Sequence, residues 1–184
     1  MSELFMNKYR IPSNRLRGWD YARNGAYFIT IVTHGRRHLF GEIKDGKMIL
    51  NDIGKIVHNE FFKSFEIRDE LFMGNFILMP NHLHAIIILD NSNCRRDARP
   101  CVSTTNKQLI LERRPKSISS FVAAFKSSAI RQIDDWIDKN NQATKKFNRD
   151  NPLWQANYHD HIIRNSIEYH RISEYISNNP KNWG

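Results

Sequence analysis

The sequence contains few cysteines and no long hydrophobic run. The two cysteines, Cys94 and Cys101, have no His or Cys at a zinc-like spacing, so they indicate only a reducing compartment. Apolar runs such as Ala85 to Leu89 are far too short to span a bilayer, and the N-terminus has no apolar core of signal-peptide length. We therefore expect a soluble cytoplasmic protein with no membrane partner.

Acidic residues are the minority among the charged ones. The 184 residues include 19 Asp and Glu against 28 Lys and Arg, which leaves a net charge of +9. This excess favours a polyanionic partner, nucleic acid before an anionic membrane surface, although a solvated basic surface without a partner is the simpler alternative. With DNA as the partner, we expect the protein to lie with the nucleoid. The length predicts a single domain over residues 1–184.

Two polar segments stand out from the rest of the chain. Residues 1–23 form a basic arm in which cations alternate with aromatic rings, and its Arg15 and Arg17 are candidate DNA contacts. The alternative is a tail that wraps over the domain. Residues 90–116 contain both cysteines, two prolines and many Arg, Ser, Thr and Asn, which predicts an exposed and mobile loop.

Hydrophobic periodicity and turn or cap residues predict the regular elements. Asp45-Gly46 is a strong type I′ hairpin signal. Asn51 and Ser117 are candidate helix caps, and Asn165 with Glu168 resembles a capping box. The predicted elements are a strand over Ala26–Thr33, hairpin strands Leu39–Ile43 and Lys47–Leu50, a helix after Asn51, a strand over Glu70–Phe76, a helix after Ser117, a strand over Leu153–Ile163 and a helix over 165–179 that Pro180 ends. The strand over Glu70–Phe76 either continues into the next segment or is broken from it near Gly74.

Residues 76–89 consist of two apolar runs that flank His82-Leu83-His84. We expect one buried strand here, with an edge, a bulge or a kink at Pro80. Side chains alternate along a strand, so His82 and His84 point the same way, with Cα atoms about 6.6 Å apart, and can share one metal ion. The alternative is a pair of polar residues on a wet sheet face. On spacing alone, His159 and His161 are an equally good ligand pair.

The predicted final helix contains Tyr175 and Asn179, which share one side because they are four residues apart. A deprotonated phenol is a nucleophile, but it needs a nearby cation or base to lose its proton. An amide oxygen is a reasonable third metal ligand beside two imidazoles. A metal bound in this way would polarise a phosphate oxygen in front of the phenol. For the tyrosine, a packing role is the alternative.

In the preceding helix, Lys126 lies at the edge of the apolar stripe, where it can present its charge beside a groove.

The motif Met79-Pro80-Asn81-His82-Leu83-His84 resembles the His-hydrophobic-His motif of single-tyrosine transposases. Further segments resemble the family in the same order along the chain. They are Tyr27–Ile31, Arg36–Gly41, Phe125-Lys126-Ser127, Trp154-Gln155, His161–Arg164, Tyr175-Ile176 and Asn178-Asn179-Pro180. The branch that the chain resembles is the REP-associated tyrosine transposases, and the likeness covers residues 15–183.

The resemblance implies an α+β fold, an antiparallel β-sheet flanked by α-helices and related to ferredoxin-like folds. It implies that His82 and His84 bind Mg²⁺ or Mn²⁺, and so it selects this pair over the second one. Asn179 would be the third ligand, at a position where many relatives have Gln. Tyr175 would attack a phosphate of single-stranded DNA, forming a 5′-phosphotyrosine link and releasing a 3′-hydroxyl.

The resemblance also points to a substrate. Lys126 and Arg164 fall in segments that match the family, and they are further candidate DNA contacts. The implied partner is single-stranded DNA that contains a hairpin, such as REP-like sequences or insertion-sequence ends. Because relatives differ in whether the final helix packs on its own subunit, a monomer and a homodimer are both open.

Three other functions compete with this one. The first is a DNA-binding module of the same fold that does not cleave, and a covalent protein–DNA adduct would separate it from the enzyme. The second is a metal-independent phosphoesterase, which needs a hydroxyl residue two positions after each His, whereas His84 and Ile86 stand there. The third, an RNA-binding sheet, would not need a metal pair on a buried strand. Tyr158 and Tyr169 are rival nucleophiles, but neither has an amide four residues on.

Overall fold

The fold is made of short strands and amphipathic helices in the part of the chain that the structure describes. A computed structural model describes residues 16, 18–92, 116–140 and 145–183. The elements are β1 (Gly25–Val32), β2 (Gly41–Lys44), β3 (Lys47–Leu50), α1 (Asp52–Glu66), β4 (Leu71–Met79), β5 (His82–Leu89), α2 (Ile118–Lys139), β6 (His159–Ile163), α3 (Ser166–Asn178) and two short 3-10 turns (His34–Arg36 and Asn179–Asn182). None of the helices among these residues is long and apolar enough to cross a membrane.

Several residues named from the sequence lie outside this description. Most of the predicted basic arm and of the predicted loop over 90–116 belongs to this group. The individual residues are Arg15, Arg17, Cys94 and Cys101.

Four strands form an antiparallel sheet in the order β4-β5-β1-β6. β2 and β3 form a separate antiparallel hairpin. The predicted α+β class with an antiparallel sheet is therefore confirmed. The small hairpin turns at Asp45 and Gly46, whose φ angles are 51° and 67°. Two consecutive positive φ angles are what a type I′ turn requires, as the sequence predicts.

Each helix begins at the cap residue that the sequence indicates. Asn51 caps α1, and Ser117 caps α2. Asn165 accepts a hydrogen bond from the N–H of Glu168 (2.8 Å) at the start of α3. In a capping box, the carboxylate of Glu168 would accept from the backbone N–H of Asn165. In the structure it accepts from the N–H of Arg164 instead (2.9 Å). The last strand and the last helix are thereby connected by a polar corner.

The sheet separates two apolar layers. Helices α1 and α2 belong to the main core, whose fully buried residues include Tyr27, Ile29, Leu83, Phe61, Phe121 and Phe125. Helix α3 packs through Ile172 and Ile176 against Ile86 and Ile163, which form a smaller cluster on the other face. Residues one position apart on a strand point to opposite faces, so His82 and His84 lie on the α3 side while Leu83 points into the main core.

Residues 76–89 do not form a single strand. They contain the end of β4, a turn at Pro80 and Asn81, and β5, and the two strands pair antiparallel from the Met79–His82 pair outward. The prediction of one strand with an edge, a bulge or a kink at Pro80 is wrong, because an unbroken apolar pattern does not show where the chain reverses. As a consequence, the two histidines lie directly after a tight turn.

The predicted strand over Leu153–Ile163 is also too long. Only β6 joins the sheet, and Trp154 makes a single bridge to Thr33. Leu153 and Trp154 are both buried. The apolar pattern that favours a strand here comes from a loop anchored in the core.

Gly74 in β4 allows α3 to pack close to the sheet. A Cβ atom at this position would lie 2.9 Å from the hydroxyl oxygen of Tyr169 and 3.0 Å from Cβ of Ile86. Gly74→Val must therefore displace α3 or distort β4, and we expect its free energy of unfolding, measured in urea, to be lower by about 1–3 kcal/mol. Gly74→Ala should lose less. Equal stability of the valine variant and the wild type would contradict this account of the packing.

Candidate active site

Two imidazoles from β5 face each other on the α3 side of the sheet. The Nε2 atoms of His82 and His84 are 3.0 Å apart. The ring centroids are separated by 4.5 Å, and the ring planes are inclined by 70°. The strand geometry thus brings one nitrogen of each ring to a common point.

The other nitrogen of each ring contacts a neighbouring side chain. Nδ1 of His82 lies 2.6 Å from Oδ1 of Asn81, and Nδ1 of His84 lies 2.8 Å from Oγ1 of Thr30. Asn81 belongs to the turn before β5, whereas Thr30 lies opposite His84 in register on β1. Sequence reasoning missed both contacts, since an Asn in a turn and a Thr in a strand are ordinary local choices.

Both imidazoles are neutral at pH 7. Burial, with a smaller effect of the Arg36 cation, lowers the pKa of His82 to about 4. Burial, followed by the charges of His82 and His159, lowers the pKa of His84 to about 3. A neutral imidazole has a lone pair for a metal ion, so the pair is in the form that binds cations.

The phenol of Tyr175 approaches the pair from α3. Its oxygen lies 3.3 Å from Nε2 of His84. Phe28 contacts both rings, with centroid distances of 5.3 Å to His84 in a stacked arrangement and 6.2 Å to Tyr175 edge-on. Tyr175 is 51% exposed, so a substrate can reach the phenol from solvent. The tyrosine and the histidines belong to the same chain.

Helix α3 holds the tyrosine in place through contacts on its inner side. Ile172 and Ile176 are buried against the sheet. The side-chain nitrogen of Asn75 in β4 donates to the backbone oxygen of Ser173 and to the hydroxyl of Ser177, both at 3.3 Å. These contacts come from the turns on either side of the tyrosine and fix the height of its ring above the sheet.

The two imidazoles fit a divalent cation as adjacent ligands. In an octahedral ion with bonds of about 2.1 Å, two neighbouring ligand atoms are about 3.0 Å apart, which matches the spacing of the Nε2 atoms. No group of three or more His, Cys, Asp or Glu side chains suited to a metal occurs among the described residues. Amide, phenol or water oxygens would suit the remaining positions around such an ion. Asn179 directly follows α3, and its role as a third ligand stays a prediction.

The end of the described chain folds back over the histidines. Trp183 stacks on His82 with a centroid distance of 5.8 Å and a plane angle of 30°. The same indole lies 5.5 Å from the ring of His38, which precedes β2. Trp183 is therefore part of the site. The sequence does not indicate this contact, because nothing in the residues around Trp183 points to His82 or His38 as a partner.

The second histidine pair has a different environment. His159 lies opposite Thr30 in register and is exposed. Nε2 of His161 lies 2.7 Å from a carboxylate oxygen of Glu168, in the corner between β6 and α3. The structure therefore brings the first pair together at its Nε2 atoms and ties His161 to a carboxylate instead.

The two candidate DNA contacts in the described residues differ in their surroundings. Nζ of Lys126 donates to the backbone oxygens of Gln155 (2.8 Å) and Asn157 (3.3 Å). These two bonds connect α2 to the loop before β6. Lys126 also lines a groove of about 370 Å³. Arg164 is exposed at the end of β6. Their DNA-binding roles stay predictions.

Comparisons with known proteins agree with this architecture. No protein-family model matches the chain. An uncharacterized protein from Haemophilus influenzae is 34% identical over 172 residues, which cover 93% of this chain and 88% of that protein. The solved structure of a REP-associated tyrosine transposase bound to a REP hairpin matches with a TM-score of 0.58 and 18% identity, over 93% of this chain and 74% of that chain. The chain shares its fold with that transposase.

Proposed function

We propose that this chain, which belongs to the same family as the uncharacterized Haemophilus influenzae protein, is a metal-dependent transposase that cleaves and rejoins single-stranded DNA through a covalent 5′-phosphotyrosine intermediate. One observation carries the proposal. The Tyr175 oxygen lies 3.3 Å from Nε2 of His84, and that atom lies 3.0 Å from Nε2 of His82. A protein that binds DNA without cleaving it does not need a tyrosine oxygen beside two candidate metal ligands.

In the proposed reaction, the Tyr175 oxygen attacks a phosphorus of the DNA backbone. The P–O3′ bond breaks, and the 3′-oxygen keeps its electron pair and takes up the proton that the phenol has given up. The products are a 5′-phosphotyrosine link and a free 3′-hydroxyl. Attack by a 3′-hydroxyl on this link rejoins the DNA, so no outside energy source is needed. A divalent ion held by His82 and His84 would polarise a phosphate oxygen and attract the charge that develops there.

The residues around the phenol prepare it for this attack. Phe28 and His84 contact the ring of Tyr175, and Asn75 anchors the helix that carries it. A nucleophile held near its target needs less ordering when the substrate binds, which lowers the barrier. Because the phenol is only half-buried, an extended strand can pass over it.

The proposed substrate is single-stranded DNA next to a hairpin. Support comes from the shared fold with a transposase that was solved with a REP hairpin and from the net charge of +9. Arg164 and Lys126 are the proposed contacts to phosphates among the described residues, and Arg15 and Arg17 are proposed contacts outside them. With such a substrate, we propose that the protein acts on the nucleoid in the cytoplasm.

The test is a search for the covalent adduct. The protein is incubated with Mn²⁺ and a pool of single strands that contain a hairpin between randomised flanks and a label at the 3′ end. We expect a labelled, denaturation-resistant protein band, because a 5′-phosphotyrosine link keeps the 3′ segment attached. EDTA should abolish the band. Tight DNA binding without any adduct would support the alternative of a protein that binds DNA but does not cleave it.

Binding to these strands should weaken steeply with salt. Each phosphate contact contributes a slope of about −0.7 to the plot of log affinity against log salt for single strands. With the four proposed contacts, we expect a slope of about −2.8, measured by fluorescence anisotropy. Arg164→Gln should make the slope shallower by about 0.7, whereas Lys55→Gln, on α1 beyond the opposite face of the sheet, should not change it. A flat salt dependence would contradict the electrostatic part of the proposal.

A further inference from the structure

We propose that Asn81 and Thr30 are positioning residues that aim the Nε2 atoms of His82 and His84 at the same ion. The inference rests on the proposed function, since it assumes that the two imidazoles bind a divalent cation. Two contacts on the far side of the rings support it. Oδ1 of Asn81 lies 2.6 Å from Nδ1 of His82, and Oγ1 of Thr30 lies 2.8 Å from Nδ1 of His84.

Asn81 presents its oxygen, and not its nitrogen, to His82. The amide nitrogen donates to the backbone oxygen of Arg36 (3.3 Å), which leaves the oxygen facing the imidazole. An amide oxygen only accepts hydrogen bonds, so Nδ1 of His82 must carry the ring hydrogen. Nε2 of His82 then keeps its lone pair, which is the arrangement that a metal ion needs.

The position of Asn81 is fixed by its other contacts. The residue is only 9% exposed. Its backbone oxygen accepts from the N–H of Thr33 (2.9 Å), and the hydroxyl of Thr33 is shared between this oxygen (3.0 Å) and the backbone oxygen of Arg37 (2.8 Å). Together with the contact to Arg36, these bonds attach Asn81 to the segment that follows β1. An acceptor held this firmly can set the orientation of the ring that it contacts.

The hydroxyl of Thr30 differs from the amide oxygen of Asn81, because a hydroxyl can both donate and accept a hydrogen bond. Without a cation, two lone pairs cannot face each other at 3.0 Å, so one Nε2 must carry a hydrogen. Since the hydrogen of His82 is on Nδ1, it is His84 that carries one on Nε2, and Nδ1 of His84 accepts from the Thr30 hydroxyl. With a cation bound by both Nε2 atoms, the ring hydrogen of His84 would lie on Nδ1, and the Thr30 oxygen would accept it. The total number of hydrogens on the two rings stays the same.

Calorimetric titration with Mn²⁺ tests the two positioning residues. We expect Asn81→Ala and Thr30→Val each to bind Mn²⁺ about 10–100-fold more weakly than the wild type. Thr30→Ser keeps the hydroxyl and should bind within about threefold of the wild type. Asn24→Ala is the matched control, because it removes an amide directly before β1 that bonds to Asp90 and Ser92 and not to the imidazoles; its affinity for Mn²⁺ should not change.

A second measurement avoids variants altogether. Nitrogen NMR shifts of the metal-free wild type at pH 7 report which ring nitrogen carries the hydrogen. We expect His82 to carry it on Nδ1 and His84 on Nε2. A hydrogen on Nε2 of His82 would overturn the proposal, whatever the variants show.

The outcomes separate this inference from the proposed function. If Asn81→Ala and Thr30→Val bind Mn²⁺ like the wild type while removal of His82 and His84 abolishes binding, the positioning roles are wrong and the metal site stands. If removal of both histidines leaves the affinity unchanged, the metal site itself is wrong, and the proposed function loses its basis with it.

Discussion

Tyr175→Phe is expected to form no covalent DNA adduct and to lose strand cleavage to background, a decrease of about 10⁴-fold or more. The phenylalanine retains the ring that contacts Phe28 and His84 and lacks only the oxygen that attacks. DNA affinity and the free energy of unfolding should therefore change little. Cleavage is measured with the 3′-labelled strands, and binding is measured in the same buffer by anisotropy.

Tyr169→Phe is the matched control for this experiment. Tyr169 belongs to the same helix, and it packs near Gly74 in β4. Removing its hydroxyl should leave adduct formation within about threefold of the wild type, since the oxygen takes no part in the reaction. Adduct at the wild-type level from Tyr175→Phe would show that the nucleophile is misassigned, and loss of adduct in Tyr169→Phe would move it there.

Replacing both His82 and His84 by alanine is expected to abolish Mn²⁺ binding in calorimetry and to abolish cleavage. Two imidazole nitrogens 3.0 Å apart are the nitrogen ligands of the proposed site, and the remaining oxygen donors bind a divalent ion only weakly. Both rings are neutral near pH 7, because burial lowers the pKa of His82 to about 4 and of His84 to about 3. Their removal therefore takes away ligands and not charges.

The second histidine pair provides the control. Replacement of His159 and His161 by alanine should leave Mn²⁺ binding intact, since His161 is engaged with the Glu168 carboxylate at 2.7 Å. The two double variants have the same change in composition and lie on strands of the same sheet. If Mn²⁺ binding were lost in this control and kept in the first variant, the metal site would belong to β6.

Local signals in the sequence predicted the parts of the fold that depend on neighbouring residues. Asp45-Gly46 specifies its hairpin, and Asn51 and Ser117 specify the helix starts, because each acts within four residues of its own position. The reversal at Pro80 was missed, since apolar runs on both sides of a turn look like one strand. The strand predicted over Leu153–Ile163 was too long, because burial of a loop produces the same apolar pattern as a strand.

The candidate site shows the same division between local and distant information. Strand alternation placed His82 and His84 on one face, but spacing alone did not distinguish them from the pair on β6. The partners of the two rings come from elsewhere in the chain. Thr30 meets His84 because β1 lies beside β5, and Tyr175 meets it because α3 packs on that face of the sheet. Only the fold brings these residues together, and no local sequence pattern indicates that they are in contact.

The residue that carries the covalently attached nucleotide can be identified directly. The covalent complex formed with Mn²⁺ is digested with nuclease and protease, and the modified peptide is sequenced by mass spectrometry. We expect a nucleotide linked through its 5′-phosphate to the oxygen of Tyr175. A nucleotide on any other residue, or a link through a 3′-phosphate, would show that Tyr175 is not the nucleophile of the proposed reaction.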